Sequence, residues 1–282
     1  MNSSPVLVGI VTDSTADIPE RILQSLKIES VPALLIIEGK TYIDGVNLSR
    51  TEFYNRMPSL TEPPTTASPS PIVFKQAYER LFDAGVDAIL SIHVSSKLSG
   101  IVNVASQAAQ EFGKRVRVFD SQQVSLGLGY QVIEAAKSAL RGVNLAGIVE
   151  HVHSIKEHVH LLALIDSLEY LRRGGRVSWL QAGVGDLFKI KLLVTLKDGF
   201  VESFGRSRTF SRALDSLRNE AGSWAPLNQL TIMHSGIRER AEALAEELSP
   251  LSATEPMVVN VTTVIGAHVG PGSIGIAGLP QL

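Results

Sequence analysis

The sequence contains no cysteine among its 282 residues, and this absence sets the first limits on its chemistry. Without a thiol the chain can form neither a disulfide nor a cysteine-ligated metal site, and thiol catalysis is excluded. The N-terminal stretch lacks a charged segment followed by a long apolar run, so we expect no signal peptide. The longest apolar runs are too short to cross a bilayer. These features predict a cytoplasmic protein.

An excess of charge of one sign is also missing. The chain carries 26 Lys and Arg against 28 Asp and Glu, which gives a net charge of −2. Basic residues form no block, so nothing favours nucleic acid as a partner. Hydrophobic residues make up 44% and charged residues 19%, a composition that predicts an ordered chain with a substantial core.

The first half of the sequence alternates short apolar runs with helical patterns. Such continuous apolar runs are typical of strands in a parallel sheet that is covered on both faces. The alternation predicts βαβ units and therefore an α/β/α domain with a mainly parallel sheet. The predicted strands are residues 6–11, 31–37, 88–92 and 116–119.

The second half has a different pattern. Asp198-Gly199 separates two apolar segments, which is a strong signal for a β-hairpin. Together with further strands and helices, the hairpin predicts an α+β domain with a mixed sheet. We place the boundary near residue 157, which gives domains of residues 1–157 and 158–282. The predicted strands are residues 161–165, 190–196, 200–204, 230–234 and 257–265.

A hydroxyl-rich turn at residues 95–100 is the first candidate site. It lies between a predicted strand and a predicted helix, where free backbone N–H groups and the positive helix end favour an anion. Ser95 and Ser96 add hydroxyl donors at the same point. The alternative is that Ser95, Ser96 or Ser99 only caps the helix.

Two other predicted strands also end in small polar residues, at Asp13-Ser14 and Asp120-Ser121. The carboxyl ends of strands in an open α/β sheet border the ligand crevice, so all these clusters lie where a ligand would bind. An alternative function follows from them, a metal- or phosphate-dependent enzyme that uses the Asp-Ser strand ends. No nucleotide loop or recognised base–nucleophile set supports it.

Three further stretches have a plain and a functional interpretation. The proline-rich residues 58–71 are either a linker or a stiff loop that presents Thr65, Thr66 and Ser68. Arg176, after Gly174-Gly175, makes either a structural salt bridge or a ligand contact. Residues 270–275 match G-x-G-x-x-G but leave no room for a dinucleotide-binding unit, so they predict only a glycine-rich turn beside His268.

Seven motifs resemble those of the DegV family, whose members are bacterial fatty-acid-binding proteins. Each motif is weak alone, but they occur in the family's order and cover nearly the whole chain. The motifs are VTDSTADIP (11–19), TASPSP (66–71), SSKLSG (95–100), FDSQQVSLGLG (119–129), LEYLRRGGRVS (168–178), RSRT (206–209) and GAHVGPGSIG (266–275).

The resemblance implies an α/β/α N-terminal domain, an α+β C-terminal domain and one long-chain fatty acid in a tunnel between them. It implies that Thr66 and Ser96 hydrogen-bond the carboxylate, with Arg176 and His268 near it. Ser95 and Gly272 belong to the same matched motifs. The predicted carboxylate-binding residues are therefore Thr66, Ser95, Ser96, Arg176, His268 and Gly272.

The resemblance also implies a partner. Members of this type present fatty acid to a fatty acid kinase, and Arg206 and Arg208 would face that kinase. The acyl-phosphate would then pass to an acyltransferase for phospholipid synthesis. On this interpretation the kinase performs the chemistry. The chain is a carrier rather than an enzyme, with a bound fatty acid as its ligand and no cofactor, metal or stable membrane insertion.

Overall fold

The computed structural model describes residues 6–174 and 190–281. Its strands, in chain order, are β1 Val8–Asp13, β2 Ile28–Val31, β3 Leu34–Ile37, β4 Lys40–Ile43, β5 Thr65–Ala67, β6 Ala88–His93, β7 Val116–Asp120, β8 His160–Ile165, β9 Lys191–Lys197, β10 Phe200–Ser207, β11 Leu227–His234, β12 Met257–Asn260 and β13 Ile274–Pro280. Its α-helices are α1 Glu20–Ser25, α2 Arg50–Arg56, α3 Pro71–Asp83, α4 Ile101–Ala109, α5 Leu126–Leu140, α6 Leu145–His158, α7 Glu169–Arg173, α8 Phe210–Ser223, α9 Arg238–Leu248 and α10 Thr263–Val269.

Contacts within the chain divide it into two compact units. The first comprises Met1–Ala33 and Ser68–Glu157, and the second comprises Leu34–Ala67 and His158–Leu282. The sequence predicted one contiguous domain of residues 1–157, which includes Leu34–Ala67. In the structure this segment belongs to the second unit. This segment contributes antiparallel strands, and its side chains hydrogen-bond α10 and β12, which accounts for its place in the second unit.

The first unit is built on a four-stranded sheet in the order β2-β1-β6-β7. Every pairing in it is parallel, and helices connect the strands. All six residues of β6 are buried, as expected for a strand in the middle of a covered parallel sheet. The predicted parallel α/β fold is confirmed for this unit.

The second unit contains a mixed sheet in the order β10-β9-β8-β13-β11-β12. The β11–β12 pairing is parallel and the others are antiparallel. Asp198 and Gly199 both have positive φ, at 51° and 82°, and join β9 to β10 in the predicted hairpin. A second, three-stranded antiparallel sheet has the order β4-β3-β5. The prediction of an α+β fold with a mixed sheet is confirmed.

Two predicted strands differ from the observed elements. The single strand expected over residues 31–37 is two strands, because β2 ends at Val31 and the antiparallel β3 begins at Leu34. The strand expected over residues 257–265 ends at Asn260. The side chain of Thr262 accepts a hydrogen bond from the backbone N–H of Ile265 and so caps α10, which occupies the rest of the stretch.

Among the described residues, we find no helix that has both the length and the apolar character needed to cross a membrane.

Candidate functional site

The second unit brings two predicted site residues into direct contact. Oγ1 of Thr66 lies 3.0 Å from Nε2 of His268, although 202 positions separate the residues in the sequence. Thr66 is the half-buried middle residue of β5, and its place is fixed by antiparallel pairing with Leu35 of β3. His268 is in the last turn of α10 and is 7% exposed. A hydroxyl and an imidazole therefore form one polar pair.

Close packing of α10 against two tyrosines fixes the position of His268. A Cβ added to Gly266 would lie 2.4 Å from the hydroxyl oxygen of Tyr54, so only glycine fits there without a shift. The Tyr54 hydroxyl donates to the carbonyl oxygen of Val261, 3.1 Å away. Gly270 ends the helix with a φ of 74°, and a Cβ there would lie 2.2 Å from the ring of Tyr170. Burial raises the pKa of the Tyr170 hydroxyl.

Gly272 lies in the turn between α10 and β13 and has a φ of 83°. Its backbone N–H donates to the carbonyl oxygen of Ser235 at 2.8 Å, and a Cβ on it would lie 3.5 Å from Asp166. The next residue, Ser273, accepts from the backbone N–H of Asp166 through Oγ. An ion pair of 2.6 Å joins Asp166 to Lys191. Glycine at 272 thus permits a backbone conformation that other residues rarely adopt, beside an ion-paired carboxylate.

The hydroxyl-rich turn follows β6 in the first unit, as predicted. Ser95 is fully buried, and its Oγ accepts from the backbone N–H of Lys97 at 3.2 Å. Ser96 is exposed, and its Oγ donates to Oδ2 of Asp120 at 2.5 Å. Ser95 therefore supports the turn from inside, while Ser96 is the serine that solvent or a ligand can reach.

A buried polar chain that the sequence analysis missed stands directly before this turn. Oδ2 of Asp13 lies 3.0 Å from Nδ1 of His93, and Nε2 of His93 lies 2.6 Å from Oγ of Ser91. Ser91 in turn contacts the Tyr78 hydroxyl at 3.0 Å, and burial raises the pKa of Tyr78 to about 12. All four residues are at 0% exposure. The one feature of the sequence that pointed to this buried chain was His93, which follows the apolar run of residues 88–92.

The Asp13 carboxylate also accepts from the backbone N–H of Val94 at 3.2 Å and from Thr15. It therefore ties the end of β1 to the end of β6, one residue before Ser95. Asp13, His93 and Ser91 are fully buried, so a substrate cannot reach the serine hydroxyl. Their hydrogen bonds therefore support a role in positioning the strand ends rather than in nucleophilic catalysis.

The serines of the Asp-Ser strand ends that suggested an enzyme accept hydrogen bonds from the backbone. Ser14 Oγ accepts from the backbone N–H of Ala33 at 3.1 Å, and Ser121 Oγ accepts from the backbone N–H of Gln123 at 3.1 Å. Within residues 6–174 and 190–281, no group of three or more histidines and acidic residues could hold a metal ion. Ser121 thus caps a local turn, and Ser14 holds a backbone group 19 positions away, so neither contact gives the enzyme alternative specific support.

The hydrogen bonds described above do not include the two arginines predicted to face a partner. Arg206 is in β10, the edge strand of the mixed sheet, and Arg208 follows that strand; both are exposed. Phe204 on the same strand is 45% exposed. Arg176 lies outside the described residues.

Comparisons with known proteins agree on the family. The family model described as uncharacterised protein, DegV family, matches residues 7–281. A DegV domain-containing protein of Staphylococcus aureus is 35% identical over 276 residues, which are 96% of this chain and 98% of the relative. One from Deinococcus radiodurans is 34% identical over 280 residues, 96% of this chain and 97% of the relative.

Solved structures give the same result. A DegV family protein from Thermus thermophilus, described by its fatty acid binding, has a TM-score of 0.90 and 32% identity and covers 98% of this chain and 100% of its own. DegV of Bacillus subtilis, described as a fatty acid binding protein, has a TM-score of 0.86 and 29% identity with the same coverage. The chain belongs to the DegV family.

Proposed function

We propose that this protein binds one long-chain fatty acid and presents its carboxylate to a partner fatty acid kinase, which forms the acyl-phosphate. The observation that carries the proposal is the 3.0 Å contact between Thr66 and His268. Both are residues for which the family resemblance implies a place at the carboxylate. The fatty acid binding described for the Thermus thermophilus relative, 32% identical, supports the same ligand class.

The Thr66–His268 pair has the chemistry that a carboxylate needs. If Nε2 of His268 carries the proton, it donates to Oγ1 of Thr66 and leaves the threonine hydroxyl proton for the ligand. A hydrogen bond to a charged group contributes about 1.5–3 kcal/mol, so two or three donors offset much of the cost of desolvating a carboxylate. In the proposal, Ser96 supplies a further hydroxyl, and Ser95, Arg176 and Gly272 complete the head-group residues.

The acyl tail supplies most of the affinity in this proposal. A long chain has about 14 methylenes, and burial of each is worth roughly 0.8 kcal/mol, so the gross gain is about 11 kcal/mol. Losses of motion on association reduce this figure. The tunnel that the family resemblance implies for the tail stays a prediction.

The proposal of a kinase partner depends on other residues than the proposal of the ligand. The exposed guanidinium groups of Arg206 and Arg208, with Phe204 on the same edge strand, would contact acidic and apolar groups of the kinase. In this proposal the chain is a cytoplasmic carrier that performs no chemistry itself, and its only small-molecule ligand is the fatty acid.

Lipid extraction of the purified protein, followed by mass spectrometry and by titration with oleate, tests the proposal. We expect one bound fatty acid per chain and saturable uptake of oleate. Thr66→Val keeps the side-chain shape and removes the hydroxyl, so the oleate dissociation constant should rise about 10- to 100-fold.

Thr41→Val is the matched control, because Thr41 is an exposed threonine in β4 of the same three-stranded sheet. It should bind oleate as the unsubstituted protein does. Absence of both extracted fatty acid and oleate uptake would contradict the proposed ligand, and equal losses in the two variants would remove Thr66 from the site.

A further inference from the structure

The Ser96 hydroxyl has one proton, and it donates that proton in a hydrogen bond to the carboxylate of Asp120. Oγ of Ser96 lies 2.5 Å from Oδ2 of Asp120, and the backbone N–H of Ser96 points to both carboxylate oxygens at 3.3 Å. Oδ1 of Asp120 also accepts from the backbone N–H of Gln122 at 2.9 Å. A carboxylate accepts only, so the serine must be the donor in the short contact.

This geometry conflicts with a second carboxylate at Ser96. A hydroxyl has one proton, so a fatty-acid carboxylate that accepts from Ser96 must take that proton away from Asp120. The two like charges would also share one hydroxyl at the exposed end of β7 and repel each other. While the Asp120 bond persists, Ser96 can offer a ligand only the lone pairs of its oxygen.

We propose that Asp120 competes with the ligand carboxylate for the Ser96 hydroxyl proton and thereby lowers the affinity for fatty-acid anions. Asp120 is on this account a specificity-determining residue that acts through Ser96, and the inference rests on the proposed function. It favours ligands whose head group donates a hydrogen bond over ligands whose head group only accepts one. A carrier that must release its ligand gains from such a competitor, because the bound anion is held less tightly.

Asp120→Asn separates this role from a structural one. The amide oxygen of the replacement can still accept from the backbone N–H of Gln122, so the turn keeps its anchor. The amide nitrogen can donate to Oγ of Ser96, which frees the serine proton for the ligand. Asp120→Ser is a second variant, since a serine oxygen can also accept from the backbone two residues on without carrying a charge.

The experiment measures dissociation constants for oleate and for oleyl alcohol, which shares the tail but has a neutral, hydrogen-donating head. Asp120→Asn should strengthen oleate binding about fivefold to tenfold and change oleyl alcohol binding less than about twofold. Asp215→Asn is the matched control, because it removes the same charge from an exposed ion pair with Arg218 on α8. It should leave both constants unchanged.

Ser96→Ala tests whether the effect passes through the hydroxyl. Most of the gain from Asp120→Asn should disappear in the Ser96→Ala background. Weaker oleate binding in Asp120→Asn and in Asp120→Ser, or an equal gain for both ligands, would overturn the inference while the proposed function stands. Failure of the unsubstituted protein to bind oleate at all would overturn both.

Discussion

His234 shows how one buried side chain can make stability depend on pH. It ends β11, is 3% exposed, and its Nδ1 has no hydrogen-bond partner among the residues that the structure describes. Burial, together with the positive charge of Arg238, lowers its pKa to about 4; Glu242 opposes this shift and Arg50 adds to it. The folded chain therefore holds this imidazole neutral at pH values where the unfolded chain protonates it.

The sign of the effect follows from proton binding. A histidine in the unfolded chain has a pKa of about 6.5, so between about pH 6.5 and 4 the unfolded chain binds a proton that the folded chain does not. The contribution of His234 to the free energy of unfolding is therefore complete above about pH 6.5. It falls as the pH drops from about 6.5 to 4. From pH 7 to 5 the loss is about 2 kcal/mol.

We predict that His234→Gln lessens this acid sensitivity. Urea unfolding at pH 7 and 5 should show a fall in the free energy of unfolding that is about 2 kcal/mol smaller in His234→Gln than in the unsubstituted protein. Between pH 7 and 8 the two proteins should differ by no more than about 0.2 kcal/mol, because His234 is mostly neutral in both states there. Parallel pH profiles from 5 to 8 would refute the prediction.

At this same scale, sequence reasoning found hydroxyl residues but not what they contact. Thr66 and Ser96 became candidates through their place in the matched motifs, and Ser96 also through its position in a turn between a predicted strand and a predicted helix. Their partners, His268 and Asp120, are 202 and 24 positions away, and only the fold sets those distances. The Asp13–His93 pair was missed because 80 positions separate its members. Single-sequence patterns describe neighbours along the chain, and these contacts join residues that lie far apart in the sequence.

Among the elements, helix α10 is where the sequence pattern was misleading. Residues 257–265 are β-branched or apolar apart from Asn260, a composition that is typical of a buried strand. The structure ends the strand at Asn260 and starts a helix at Thr263, because Thr262 caps the helix and Asp44 accepts from both the backbone N–H and the hydroxyl of Thr263. A cap residue inside an apolar run therefore outweighed local propensity.

The packing of α10 predicts unequal effects for two glycine substitutions within helices. Gly266→Ala would force its Cβ onto the buried Tyr54 ring, and we expect it to lower the free energy of unfolding by about 1–3 kcal/mol. Gly222→Ala in α8 meets nothing within 4 Å, so it should raise the free energy of unfolding by about 0.5–1 kcal/mol through helix propensity.

Urea unfolding of both variants checks these signs, and oleate titration checks the link to the site. Because His268 is two residues after Gly266, the shift in α10 should weaken oleate binding in Gly266→Ala and leave it unchanged in Gly222→Ala. Two variants that are stabilised alike would mean that Tyr54 does not constrain α10.

Over the whole molecule, the fold class was predictable and the grouping of segments was not. Alternating strands and helices identified the parallel sheet, and the Asp-Gly signal identified the hairpin. The place of Leu34–Ala67 in the second unit depends on contacts such as that of the Tyr54 hydroxyl with Val261, 207 positions away. A boundary read along the sequence assumes contiguous domains, so it cannot detect a segment that returns to a distant partner.

The proposed carrier role also makes a prediction about the stability of the entire chain. A ligand that binds only the folded protein stabilises it by about 2.7 kcal/mol when its concentration is 100 times the dissociation constant. For palmitate under that condition we expect the melting temperature of this 282-residue chain to rise by roughly 5 °C. Laurate has four fewer methylenes, and at about 0.8 kcal/mol each its affinity should be about 200-fold lower.

Thermal unfolding with equal concentrations of the two acids checks this. Laurate should then stabilise by about 0.2 kcal/mol, which moves the melting temperature by less than about 1 °C. The comparison isolates the tail, since both ligands carry the same carboxylate and meet the same head-group residues. Equal shifts for palmitate and laurate would mean that the tail stays in water and that the head group alone is recognised, a result that a fatty-acid carrier could not give.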